Sequence, residues 1–408
     1  MNSLRRFVIL PFINDSTARV GGNYGRAFSG LHQLPVFRLE QSEAWHAIPE
    51  SRQLSCSECE PLSLHDALEM ADEECKDLWQ NLSLGYSSHN QGSPLLRQEI
   101  SKSIFSGDVD PDRNILICAP SEGILISMMS LLKPGDRVIA CDPAYQSLHS
   151  IASTISGCKV VPWKTKLCSD SGYFFDVDDL KRLLAEGDTK LVVVNFPHNP
   201  TGADLDLRQV ERACEQSGVH LFHDAMYALS HRSPESDRTI HLGGISKTFG
   251  MPGARLGWIC SRDEAFIKRA RQIKDYVSLT PPVASEVLGL IALRNKDVLH
   301  ERCRRLVANG EMALLDFLER SGDALGSCVW TRPSASTCTI GVLNLGESFL
   351  EAFYKGSSAV YAQELCENHS IMIVSTDLLD FNKNGVRIGL GKSSINEALA
   401  AWERVLLK

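Results

Sequence analysis

Four short stretches of this chain carry residue types that can do chemistry. Asn199-Pro200-Thr201-Gly202 follows the apolar run 191–196. On its own it is a turn, because Asn-Pro and Thr-Gly punctuate loops of every kind. At the carboxyl end of a parallel strand, it stands where α/β sheets place ligands. His223-Asp224-Ala225-Met226-Tyr227 closes a second run that begins at Val219, and in isolation its acid reads as a cap or a surface group. The stretch Ser246-Lys247-Thr248-Phe249-Gly250-Met251-Pro252-Gly253-Ala254-Arg255-Leu256-Gly257-Trp258 is more specific, a lysine near glycines with an arginine eight residues on. Glycines let a backbone wrap a ligand closely, and two cations suit an anionic group. Val386-Arg387-Ile388-Gly389 sets an arginine inside an apolar strand. A buried arginine needs a carboxylate to neutralise it, from a ligand or from the chain itself.

Such residues need strand ends to hold them, and the middle of the chain supplies strands. Apolar runs at 114–118, 137–141, 191–196, 219–223 and 240–245 alternate with helical patterns, the signature of βα units and a mostly parallel sheet. Asp176 is placed to cap a helix over 177–185. Helical periodicity also runs from a serine cap over 63–78 and through 281–319. Ser394 and Glu397 form an S-x-x-E capping box before a last helix over 395–407. Strand-like pieces at 337–343, 371–374 and 386–388 lie between these helices. The expected organisation is an N-terminal extension (1–35), a large domain (90–295) and a small domain built from 36–89 and 296–408.

Bulk composition narrows the class. The 408 residues are 43% hydrophobic and 23% charged, as in ordinary soluble globular proteins, and the formal net charge is −8. That balance advertises no nucleic-acid partner and no anionic membrane. No run approaches the roughly 20 apolar residues of a membrane span. Arg5 and Arg6 precede an apolar run, but Pro11 interrupts it and no small-residue cleavage pattern follows, which argues against a signal peptide. Thirteen scattered cysteines fit free thiols in a reducing compartment, so a cytoplasmic location is expected. Cys56-Ser57-Glu58-Cys59 is a lone C-x-x-C without a second pair or histidine spacing, so no metal site is expected.

Taken in order, the four stretches resemble the fold-type I enzymes dependent on pyridoxal 5′-phosphate, the aminotransferase class I/II superfamily, from about residue 50 to the end of the chain. The resemblance implies an α/β fold, with a mostly parallel seven-stranded sheet in the large domain and a small α+β domain. It implies that Lys247 forms the Schiff base and moves the Cα proton, while Asp224 pairs with the pyridine nitrogen. Asn199 and Tyr227 would bond the ring hydroxyl, and Tyr145 would stack on the ring. The helix opening at Ser121-Glu122-Gly123 would take the phosphate, with Arg255 beside it. Tyr86 resembles the residue lent to the neighbouring subunit's phosphate, which implies a homodimer. Arg387 resembles the clamp on the substrate α-carboxylate. Two positions depart from the pattern. Gly244 stands where the family usually has a hydroxyl, and Pro120 has no N–H to give the phosphate. His198 and His223 lie near this site, either as proton-transfer groups or as residues that shape the pocket.

Transamination, racemisation, elimination and replacement share their first step on this cofactor, so the outcome needs a finer signal. Phe37-Arg38-Leu39-Glu40 with Glu43-Ala44-Trp45, the stretch 191–203 and the stretch 273–279 are similar to the capreomycidine synthase-like hydroxyarginine cyclases. That resemblance implies loss of a β- or γ-hydroxyl from a hydroxylated arginine. Intramolecular addition of a guanidine nitrogen then gives a capreomycidine- or enduracididine-like ring. Among Glu40, Glu43, Glu58 and Glu60, each more readily a solvated surface group, Glu40 is carried as the acid for the distal guanidinium. The alternative is an aminotransferase using a 2-oxo acid. A DNA-binding regulator of this fold would need an N-terminal helix-turn-helix, and residues 1–40 are too short and irregular to form one.

Overall fold

The computed structural model describes residues 34–38, 47–169, 172–229, 232–334 and 338–407. Seven strands form the larger sheet: β1 (Ile115–Cys118), β2 (Arg137–Asp142), β3 (Lys159–Lys164), β6 (Thr189–Asn195), β7 (His220–Asp224), β8 (Thr239–Gly244) and β9 (Gly257–Cys260). Their order is β1-β9-β8-β7-β6-β2-β3, and β9 alone of these runs against its neighbours. The short hairpin of β4 (Lys166–Cys168) and β5 (Gly172–Phe174) lies between β3 and β6 in the chain.

Burial on both faces explains the unbroken apolar runs. Along β6, Leu191 and Val193 pack with Val138, Phe222 and Leu242 on one side. Val192 and Val194 pack with Ile139, Leu221 and Trp163 on the other. Fully burying each such side chain contributes about 1.5–3 kcal/mol. The register sets Asn195 beside Asp224 at the carboxyl ends of β6 and β7, and Gly244 beside Gly257 where β8 ends and β9 begins.

A second, antiparallel sheet has the order β10-β11-β13-β12, from β10 (Val329–Thr331), β11 (Ile340–Asn344), β12 (Val374–Ser375) and β13 (Gly385–Gly389). Helices Lys296–Ser321, Ser358–His369 and Ile395–Leu406 cover it, and Phe317, Tyr361, Ile388 and Trp402 share its core. Arg387 on β13 stands between Val342 and Val374.

Several expectations needed correction. The helical pattern at 63–78 is two helices, Leu64–Glu69 and Glu73–Gln80, because Asp72 accepts from Cys75 N at 2.8 Å and starts a new helix. Both pack with the larger sheet: Ala67 and Cys75 share a cluster with Ile117 and Trp258, so this part of 36–89 does not pack with the smaller one. Residues 371–373 are not strand. They bond to the extended segment before the first helix, where Leu54 N donates to Met372 O at 2.8 Å. Ser394 makes no side-chain capping bond, since its backbone (φ −81°, ψ 4°) lacks the extended geometry an N-cap uses. Asp176 caps Val177–Ala185 as expected. Among the described residues, no helix is long and apolar enough to cross a membrane.

Candidate active site

The carboxyl ends of the parallel strands and β13 border a cavity of about 680 Å³. Lys247, Asp224, Tyr227, Asn199, Ser121, Tyr145, Arg255 and Arg387 all line it. The four stretches singled out in the sequence thus meet in one place, joined there by Ser121 and Tyr145. Asp224 is the last residue of β7, and its Oδ1 accepts from Met226 N at 3.1 Å. Burial pushes its carboxyl up to about 6, against the pull of the Met226 N–H and of the Lys247 charge. Tyr227 is buried beside it, and burial pushes its phenol up.

A relay of hydrogen bonds ties the strand ends to β13. Asn195 Nδ2 donates to Asp224 O at 2.9 Å, and Asn199 N donates to Asn195 Oδ1 at 2.9 Å. Arg387 in turn donates through Nη1 to Asn199 Oδ1 at 3.2 Å and through Nη2 to Ser55 O at 2.8 Å. Its Nε is buried and has no hydrogen-bond partner among the described residues. Among the described residues no carboxylate bonds this arginine, although it is only 7% exposed. That is the state expected of a group that meets a carboxylate from outside.

Lys247 follows β8. Its Nζ donates to Ser57 Oγ at 2.8 Å, lies 3.9 Å from Glu58 Oε2 and stands 6.0 Å from the Tyr227 ring centre. At Gly244, where the family usually has a hydroxyl residue, a Cβ would lie 3.0 Å from both Leu256 O and Met226 Cε, a tight fit in which the neighbours would have to give. Pro120 opens the helix Pro120–Leu131 after Ala119, which has no side-chain oxygen to cap it. No side-chain cap therefore shields the N–H groups of Ser121 and Glu122, which makes this helix end suited to an anion. The Glu122 carboxylate turns away, accepting from Ala119 N at 3.0 Å and from Lys274 Nζ at 3.0 Å. Tyr145 stands against Phe37, with ring centres 5.2 Å apart. Arg255 is exposed at the mouth and donates to Pro252 O at 3.1 Å.

Not every expected residue is among the described residues that line this cavity. Tyr86 is 89% exposed on the surface. Glu40, like Glu43, lies outside the described residues. His198 and His223 shape the strand ends: their ring nitrogens contact Pro143 O and Thr201 Oγ1, and Phe196 O and His241 Nδ1. Burial pushes both rings down to about 4. Glu58 is not a solvated surface acid. It is the site's missed residue, 19% exposed and 3.3 Å from the buried Lys392. Burial opposes its charge, but Lys247 and Lys392 overcome this and hold its carboxyl below the ordinary range. Its extended segment carries no periodicity, so sequence offered only its position before the first helix. All thirteen cysteines are free, and no cluster of three or more His, Cys, Asp or Glu could hold a metal among the described residues.

These residues fit pyridoxal 5′-phosphate. They offer an amine on a loop, a buried carboxylate for a ring nitrogen, an uncapped helix end for a phosphate and an unpartnered arginine nitrogen. Fold and site together define the class of fold-type I pyridoxal-phosphate enzymes. The model of the family "Aminotransferase class I and II" matches residues 54–394, and the chain belongs to that family, with pyridoxal 5′-phosphate as its cofactor. Capreomycidine synthase from Streptomyces vinaceus is 34% identical over 190 residues, 44% of this chain and 48% of that protein. A probable aspartate aminotransferase from Methanocaldococcus jannaschii is 30% identical over 249 residues, 55% of this chain and 64% of that protein. The matches thus span about half to under two thirds of these relatives' lengths. Two solved structures share the fold. A pyridoxal-phosphate-dependent aminotransferase from Streptococcus suis has a TM-score of 0.78 at 22% identity, covering 92% of this chain and 98% of that one. The pyridoxal-phosphate-dependent cyclase OrfR has a TM-score of 0.78 at 24% identity, covering 91% and 97%.

Proposed function

We propose that this enzyme closes a hydroxylated L-arginine into a cyclic guanidine amino acid by dehydration. Bound in the cavity, the cofactor supplies a sink for the electrons left at the substrate Cα. The chain does the rest. Arg387 clamps the α-carboxylate, and Lys247 Nζ takes the Cα proton. Asp224 faces the ring nitrogen, Asn199 and Tyr227 the ring hydroxyl, and Tyr145 the ring face. The N–H groups of Ser121 and Glu122, with Arg255, hold the phosphate. A homodimer is part of this reading. Tyr86 and Tyr276 are 89% and 94% exposed, and Asn90 Nδ2 joins their segments through Asp275 Oδ1 at 2.9 Å.

The observation that carries the choice of substrate is the account of cations. The described residues that line the cavity include only Lys247, Arg255 and Arg387 as cations, and each has a role above. Among these described residues of one subunit none is left for the second carboxylate of a dicarboxylic amino acid, whereas a guanidine side chain needs none. The partial likeness to capreomycidine synthase supports the same choice. The likeness to a probable aspartate aminotransferase, over a longer stretch, favours the rival reading of amino transfer to a 2-oxo acid. Incubation of the purified enzyme with 3- or 4-hydroxyarginine, with and without a 2-oxo acid, separates the two by mass. A product lighter by one water, with its amine retained and no acceptor needed, is the expected result. Acceptor-dependent formation of an oxo acid without a dehydrated amino acid would overturn it.

A further inference from the structure

A carboxylate beside a reactive lysine has a use that neither the cofactor nor the choice of substrate explains. Glu58 lies on the extended segment that crosses the cavity wall, between two lysines from different parts of the chain. Its Oε1 is 3.3 Å from Lys392 Nζ and its Oε2 is 3.9 Å from Lys247 Nζ. Lys392 is 5% exposed, and a lysine so buried needs a fixed anion. The backbone locks this arrangement. Cys59 N donates to Lys247 O at 3.1 Å, and Glu60 N donates to Gly391 O at 2.8 Å, so the two residues after Glu58 are pinned to the loops that carry its two lysines.

We propose that Glu58, oriented by Lys392, is a positioning residue that holds the proton on Lys247 Nζ during turnover. When Nζ takes a proton from the substrate, it becomes an ammonium. The Glu58 carboxylate then balances its charge, and Ser57 Oγ accepts one of its hydrogens. Lys392 keeps Glu58 ionised, so the proton stays on Nζ and is returned from there to the substrate or its leaving group. Asp224, Tyr227, Arg387, Cys56 and Glu60 also face this region. Asp224, the other carboxylate lining the cavity, is tied to Met226 N, and Glu60, on the Lys392 side, accepts from Ser393 N at 3.0 Å.

This inference rests on Lys247 as the cofactor lysine, not on the choice of reaction. The test is a pH titration of holoenzyme absorbance, which follows the proton at the lysine-bound nitrogen. Glu58→Gln, folded by circular dichroism, moves the midpoint down by about one unit, because an anion close to Nζ has been lost. Glu58→Asp restores part of that shift. Lys392→Met moves the midpoint up, because a cation has been lost while Glu58 remains. Opposite signs in the two variants are a signature that loosened packing does not produce. Unchanged midpoints, or shifts of one sign in both, would overturn the proposal. Should Glu58→Gln fail to fold, the Glu58→Asp and Lys392→Met pair reads the same two directions. If instead Lys247→Ala keeps the lysine-bound absorbance, the assignment of Lys247 fails, a result distinct from the others.

Discussion

The cavity has two walls built on different principles. One is the row of parallel strand ends, where Asn195, Asp224 and the Lys247 loop sit on a sheet buried from both faces. The other is the extended segment 54–60, which belongs to neither sheet and is stitched between them. Leu54 bonds to Met372 and Gly389, Cys59 to Lys247 and Glu60 to Gly391, all through the backbone. Thr339 Oγ1 adds a bond to Ser57 O at 2.6 Å. The first wall holds its chemistry by burial and register. The second holds Ser57 and Glu58 by close backbone contact, so its integrity depends on what its neighbours lack. A Cβ on Gly389 would lie 2.0 Å from Cys56 O.

Variants on each wall should therefore fail in different ways. On the strand-end side, Lys247→Ala removes the group that moves the proton. Turnover is expected to fall about 10⁴-fold with little change in melting temperature. Steady-state rates, absorbance and thermal melts on one preparation check this, and a large loss of stability would mean that Lys247 is also a structural tie. On the stitched side, Gly389→Val drives a side chain into the Cys56 carbonyl. Stability is expected to fall by about 3 kcal/mol in urea unfolding, with substrate KM raised because Arg387 shares that strand. Wild-type stability in this variant would show that the segment moves aside freely, and the contrast between the walls would collapse.

The same contrast explains how much was legible in the sequence alone. Strand ends announce themselves: 191–196 is a continuous apolar run, and Asn199, just beyond it, stands where the fold must put a ligand group. Asp224, Lys247 and Arg387 could be singled out because each is attached to a run of apolar residues. Asp224 on its own, however, reads as a cap or surface acid, and the roles of all three come from the resemblance carried by the four stretches in order. Glu58 could not be singled out, because an extended segment with no periodic partner gives no sign of which side chains it buries. Its neutraliser Lys392 is 334 residues away, a pairing that only tertiary structure makes. Capping signals were uneven for a local reason. Asp176 has the extended backbone a cap requires, and Ser394 does not, though both carry suitable side chains.

Asp224 offers the most delicate test, because burial on the strand-end wall is what sets its titration. Its carboxyl is pushed from an ordinary value of 3.8 to about 6, so between those pH values the folded protein keeps a proton that the unfolded chain has released. Stability from this group is then fully present below about 4 and is lost as pH rises to about 6, a change on the order of 3 kcal/mol. Asp224→Asn cannot titrate, so urea unfolding of the cofactor-stripped proteins isolates the effect. Relative to the variant, wild type is expected to weaken across that window and to change no further above it. Loading the cofactor sets a protonated ring nitrogen against the carboxylate, an opposite charge that favours ionisation, and the window should close. A wild-type-minus-variant difference flat with pH would mean that solvent reaches Asp224. A window that persists in the holoenzyme would mean that Asp224 does not face the ring nitrogen.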